Sequence, residues 1–249
     1  MAVRAAHELR DGEVVFVGIG LPNLACNLAR ATHAPNLVLI YESGAVGAVP
    51  QRLPVSIGDP ALVTGSLAVA TMADVFGFYL QGGRIQVGFL GGAQIDRYGN
   101  INSTVIGPYD RPKVRLPGSG GACEIAIHAQ RVIVVAPLSP RSFPAAVDFI
   151  TSPGLNGKYG SRRQLGLPGK GPVRIVTDMG ILQPSARDGE LELVAIYPGV
   201  KPATVVEQAG WPLRTAPNLQ ELPPPTPAEL RLLREVLDPD HLYGGKRDA

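Results

Sequence analysis

"VVFVGIGLPNLACNLARATHAPNLVLIYESG" occupies residues 14–44. It opens on the apolar run "VVFVG" (14–18) and closes on a second run, "NLVLIY" (36–41). Such runs, without polar alternation, read as strands covered on both faces. Between them Pro22 suits a first helical turn, and Leu24, Ala25, Leu28 and Ala29 recur at helical spacing. Strand, helix, strand in that order implies a parallel pair joined by a right-handed crossover. The expected fold class is α/β: a single domain with a central, largely parallel sheet flanked by helices, an open sheet.

The same reading extends outward. Residues 4–10 end a helix stopped by the Asp11-Gly12 pair, and about 67–82 form another. "RIQVGFL" (84–90), "RVIVVAP" (131–137), "VDFIT" (147–151), "VRIVTD" (173–178) and "LELVAIY" (191–197) read as strands. "AQIDRYGNINST" (93–104) reads as a hairpin turning near "DRYGN". Residues 212–227 are proline-rich, followed by a short helix at about 227–237 and a polar tail. The expected division is a domain over 1–211 and a closing segment over 212–249.

Composition narrows the function. The chain has 249 residues, 45% of them hydrophobic, which supports a substantial core. A net charge of +2 gives no polycation surface, so no nucleic-acid partner is expected. No apolar run approaches the ~20 residues of a membrane span, and the N-terminus lacks a signal-peptide pattern. With only Cys26 and Cys123, far apart, no disulfide framework is expected and the cytoplasm is the expected compartment.

Glu42 ends the second strand, 22 residues beyond Gly20. With Gly18 and Gly20 it imitates a dinucleotide fingerprint, but Asn23 stands where the third glycine belongs. Gly18 and Gly20 then simply make a tight strand-to-helix turn. Glycine clusters at 43–47, 90–96 and 116–126 offer backbone N–H groups for an anion, or ordinary turns. The last precedes a helix, whose N-terminus suits a phosphate or oxyanion. No G-x-S-x-G or P-loop pattern occurs, and His7, His33, His128 and His241 lack metal-ligand spacing, so no metal is expected. Cys123 reads as a small buried filler rather than a nucleophile. A carboxylate after a buried strand is paired, hydrogen-bonded or functional. For Glu42 two readings stand: a structural salt bridge, or a nucleophile with free N–H groups at 43–47 to stabilise an oxyanion.

"DGEVVFVGIGLP", "LIYESG", "LPVSIGD", "GFLGGAQIDRYGNINSTVIG", "PKVRLPGSGGA", "VDFITSPG", "RRQLGLPGKGP" and "VTDMGIL" run in order along residues 4–240. With these motifs the chain resembles the class I coenzyme A transferases, most closely the B (β) chain of the glutaconate type. The resemblance implies that Glu42 of "ESG" is the catalytic glutamate. It implies an acyl-glutamyl anhydride and then a glutamyl-CoA thioester, with coenzyme A thioester as substrate and no permanently bound cofactor. It places Gly20, Gly44, Gly47, Gly91, Gly92, Ala93, Gly118, Gly120 and Gly121 along the acyl-CoA cleft, with the N–H of Gly92 or Ala93 at the tetrahedral oxyanion. It implies a separate A subunit of the CoA-transferase as partner and an (AB)2 or higher assembly. Two departures stand out: Ser142 follows Arg141 where relatives often pair basic residues, and Gly47 is kept. A hydrolase on the same scaffold, a ligand-sensing protein and a dinucleotide dehydrogenase are the competing readings.

Overall fold

A computed structural model describes residues 1–244. The last five residues of the expected polar tail, 245–249, lie outside the described residues. The chain forms two compact units, residues 1–89 with 225–249, and residues 90–224.

The first unit starts with helix α1 (Ala2–His7), strand β1 (Val14–Phe16) and helix α2 (Leu21–Ala31). Strand β2 (Val38–Ile40) pairs parallel with β1, Val15 opposite Leu39, as the crossover requires. Strand β3 (Ala45–Val46) turns back antiparallel to β2, and β4 (Ala68–Val69) lies antiparallel to β3. Strand β5 (Val87–Leu90) lies parallel on the other side of β1. The order in this unit is therefore β5-β1-β2-β3-β4. Val15, Leu39, Ile40 and Val87 are fully buried, in keeping with unbroken apolar runs.

The expected helix at 67–82 is corrected at its start. Residues 68–69 are strand β4, and the helical turns of 74–81 are wide, π-type ones. Thr71 sets the boundary: its Oγ1 accepts from the Asp74 amide at 3.1 Å and donates to Asp74 Oδ2 at 2.7 Å.

In the second unit strands β6 (Gln94–Ile95) and β7 (Ile101–Asn102) form the expected hairpin, turning over 96–100. Strands β8 (Val105–Ile106) and β9 (Val114–Arg115) pair antiparallel, and helix α3 (Ala122–His128) follows. Strand β10 (Arg131–Val135) lies parallel to β11 (Pro172–Val176). Strands β12 (Gly180–Pro184) and β13 (Leu191–Ile196) add antiparallel, and helix α4 (Pro202–Glu207) leads to β14 (Arg214–Glu221), parallel to β13. The order is β14-β13-β12-β11-β10. Strands β8, β9, β12 and β14 go beyond the sequence reading, as do β3 and β4 of the first unit. Pro217 is tolerated in β14 because it falls in a bulge, where the register with β13 shifts between Leu193 and Ala195 and Pro217 has no partner.

"VDFIT" is corrected: it is a loop. Only Ser152 bridges to Ile101, while the Thr151 hydroxyl accepts from the Ser103 amide at 2.9 Å. The chain then returns to the first unit as α5 (Pro227–Arg231), capped by Thr226 and Glu229, and continues in wide helical turns to Leu237. Leu233, Leu237 and Tyr243 pack on Ala2, Leu24 and Leu53. No helix among the described residues is long and apolar enough to cross a membrane.

Candidate active site

Glu42 sits in the tight turn that joins β2 to β3. Tyr41 N–H donates to Ala45 O at 3.0 Å, and Gly44 N–H donates to Tyr41 O at 2.9 Å. The turn is closed by a glycine with positive φ, as short hairpin loops commonly are. Gly44 is obligatory: its φ is +110°, and a Cβ there would lie 2.0 Å from Ala70 O. Ala70 N–H in turn donates to Gly44 O at 2.9 Å. The turn is thus pinned to the chain leading out of β4.

Glu42 itself is half-buried. Among the described residues none gives its carboxylate a hydrogen bond or an ion pair. The salt-bridge reading therefore has no partner. Of the expected free N–H groups at 43–47, those of Gly44 and Gly47 are corrected, however. The amide of Gly44 goes to Tyr41 O, and that of Gly47 goes to Leu39 O at 2.7 Å. These glycines shape the turn; their N–H groups are spent on it.

Beneath the turn lies a polar chain that sequence reasoning did not find. Asn23 Nδ2 donates to the Tyr41 hydroxyl at 2.7 Å, and Asn27 Nδ2 donates to Asn23 Oδ1 at 2.9 Å. Asn23 and Tyr41 are fully buried. Burial pushes the Tyr41 phenol well above its ordinary value, so it stays protonated. The available signal was Asn23 itself, with Asn27 one helical turn later on the otherwise apolar face of Leu24 and Leu28. Gly20 caps α2, and its carbonyl accepts from the Leu24 amide at 3.1 Å. Cys26 is also buried on α2, and burial pushes its thiol up, away from thiolate chemistry.

The second unit brings the other two glycine stretches together. Ala93 N–H donates to Asn102 O at 2.9 Å, and Gly118 N–H donates to the next carbonyl, Ser103 O, at 2.8 Å. Ser103 Oγ also donates to Gly118 O at 2.8 Å. Residues 102–103 therefore tie the 91–93 and 118–121 segments to one another. The Ala93 amide is committed, which removes it as an oxyanion donor and leaves Gly92. A Cβ on Gly92 would lie 2.3 Å from Ile101 Cγ2, so the segment needs glycine to lie this close to β7. Gly91 precedes it, beside Val135 O.

In the second stretch Gly120 takes a left-handed φ of +47° and Gly121 a right-handed one of −82°. Alternation of that kind points successive amides to one side, into an anion-binding concavity. Among the described residues none accepts from the N–H of Ser119, Gly120 or Gly121. Ser119 Oγ is shielded from solvent and has no partner. The helix that follows, α3, is only seven residues long. Cys123, in its first turn, is partly exposed rather than buried, so the filler reading is corrected in part. Ser142 proves structural: its hydroxyl donates to Pro137 O at 2.8 Å, and its carbonyl accepts from Ile95 N–H.

This α/β protein thus carries a turn whose Glu42 carboxylate finds no partner among the described residues, and a glycine cradle of open amides. A family model described as Coenzyme A transferase matches residues 1–208. The chain is 52% identical over 236 residues to the B chain of the 3-oxoadipate CoA-transferase of Pseudomonas knackmussii, covering 95% of this chain and 91% of that one. It is 38% identical to the B chain of the glutaconate CoA-transferase of Acidaminococcus fermentans, covering 97% and 92%. The crystal structure of glutaconate coenzyme A-transferase from that organism superposes with a TM-score of 0.89, covering 97% of this chain and 94% of the other. This chain belongs to the coenzyme A transferase family.

Proposed function

We propose that this chain is the catalytic half of a two-subunit CoA-transferase, with Glu42 as its nucleophile. One observation carries the reading: the Glu42 carboxylate finds no partner among the described residues and stands on a turn whose backbone is held by hydrogen bonds. A carboxylate that no neighbouring group engages is available to a ligand.

The chemistry follows from a carboxylate nucleophile. A Glu42 oxygen attacks the thioester carbon, the C–S bond breaks, and CoA leaves as thiolate, giving a mixed anhydride. The thiolate then attacks the Glu42 carbonyl, the anhydride C–O bond breaks, and the first carboxylic acid departs as carboxylate. Glu42 now carries CoA as a thioester. The acceptor carboxylate reverses both steps. Only C–O and C–S bonds change, so the sequence of steps asks for no metal or redox group. The open amides of Ser119, Gly120 and Gly121 suit a phosphate of the CoA thioester.

The substrate class is a small dicarboxylic or 3-oxo acid, in line with the 3-oxoadipate and glutaconate named for the two relatives. Both relatives are by name the second chain of a two-chain transferase, which supports an A subunit as partner and an (AB)2 or larger assembly.

The test is borohydride trapping. The A–B complex is incubated with acyl-CoA without acceptor and then reduced. The glutamyl thioester becomes an alcohol, and peptide mass analysis should place it at Glu42. An active complex with unmodified Glu42 would overturn the covalent route. A hydrolase on the same scaffold would consume acyl-CoA without an added acceptor acid; the transferase requires one.

A further inference from the structure

Nothing among the described residues bonds the Glu42 side chain directly, so its placement has to come from its neighbours. Tyr41 is the neighbour that is held. Its N–H and C=O are the two backbone groups that close the turn, at 3.0 and 2.9 Å. Its hydroxyl is the third point, 2.7 Å from Asn23 Nδ2 on the first turn of α2. Asn23 is oriented in turn by Asn27, whose Nδ2 reaches both Asn23 Oδ1 and Asn23 O at 2.9 Å. A phenylalanine at 41 would fill almost the same volume. Burying a phenol and an asparagine amide instead costs desolvation, and only their mutual hydrogen bonds offset it. The pair therefore gives directional hold rather than bulk packing.

We infer that Asn23 and Tyr41 are positioning residues: their hydrogen bond clamps the Glu42 turn to α2 and so aligns the carboxylate for attack on the thioester. The inference rests on the reading of Glu42 as nucleophile. In that first step a C–O bond forms, the C–S bond breaks, and the electron pair leaves on the CoA sulfur. No proton moves, so neither residue acts as acid or base, and the phenol that burial keeps protonated is suited to a purely geometric part. Small misplacement of a nucleophile lowers the rate of attack without weakening ground-state binding. The signature is a loss in kcat, not in KM.

The experiment uses the assembled A–B complex with Tyr41→Phe, Asn23→Leu and the double variant. Tyr41→Phe should lower kcat, and the rate at which the borohydride-trappable Glu42 thioester forms, by about tenfold. KM for acyl-CoA should stay within about twofold of wild type. Asn23→Leu should cost at least as much because it strands the buried phenol, and the double variant should be no worse than Asn23→Leu. A Tyr41→Phe complex that traps CoA at the wild-type rate overturns the inference. So does a loss confined to KM or to A–B assembly. Tyr41→Phe removes one oxygen and keeps the ring, so it decides the matter even where Asn23→Leu does not fold. Failure of the wild-type complex to label Glu42 while turning over would defeat the nucleophile reading, and the inference with it; that failure appears in a different sample.

Discussion

Two hairpin turns of this chain begin alike. "LIYESG" (39–44) and "QIDRYG" (94–99) each run from a strand into an acid and on to a glycine. In the second, Asp96 Oδ1 accepts from the amides of Tyr98 at 2.9 Å and Asn100 at 3.1 Å, and Asn100 Nδ2 meets both carboxylate oxygens. In the first, Glu42 accepts nothing from the described residues. The acids differ by one methylene and by place: Asp96 directly follows β6, whereas Tyr41 separates Glu42 from β2. An aspartate reaches back to the amides of its own turn. The Glu42 turn closes instead through backbone bonds among Tyr41, Gly44 and Ala45. One acid holds a loop together; the other is held out by one.

The sharpest way to break that contrast is to remove each carboxylate in turn. Glu42→Gln should lower transferase turnover by about 10³-fold or more, since an amide is a poor nucleophile, while leaving the thermal unfolding of the complex unchanged. A stability loss with retained turnover would mean that Glu42 is structural after all. Gly44→Ala should lower both, because its Cβ meets Ala70 O and its φ is positive; about 1–3 kcal/mol of stability is expected to go, read from urea unfolding. Asp96→Ala should do the reverse of Glu42→Gln. It strands two amides and the Asn100 side chain, costing about 1–3 kcal/mol, while the folded fraction keeps its kcat.

The smallest expected effect concerns pH. Burial pushes the Asp96 carboxyl up, so its protonated form favours the fold, and that contribution is lost as pH rises through its raised value. Asp188 is the opposite case. The Arg214 guanidinium, at 2.7 and 2.8 Å, holds it down to about 2. Its contribution is present above the ordinary carboxylate value of 3.8 and is lost as pH falls through about 2. Asp188→Asn should flatten the fall in melting temperature between about pH 4 and pH 2, by a small amount because the pair is exposed. A steeper fall would contradict the assignment.

Much of the fold was legible in sequence where one local rule dominated. Continuous Val and Ile runs marked β1, β2, β10, β11 and β13. "DRYGN" marked its hairpin because Asp, Gly and Asn have turn chemistry of their own. Misreadings came where partners decide. "VDFIT" has strand residues, but it meets β7 only at its end, through Thr151 and the bridge at Ser152. Residues 214–221 carry a proline yet pair with β13 at both ends, because Pro217 falls in the bulge between the paired stretches. Residues 68–69 left the helix for β3 because Thr71 caps the turn behind them. At the site, Glu42 was visible as a carboxylate ending a buried run. Its partners, or lack of them, were not.

By itself the sequence determined the α/β class, the strand–helix–strand order that opens the chain, and the position of Glu42 after β2. These follow from hydrophobic period and turn chemistry, which act over a few residues. Only the tertiary structure decided that Glu42 finds no partner among the described residues, that the Gly44, Gly47 and Ala93 amides are spent, and that Asn23 reaches Tyr41. Hydrogen bonds are satisfied in space, between residues such as 23 and 41 or 93 and 102, and no local pattern states which groups will find each other.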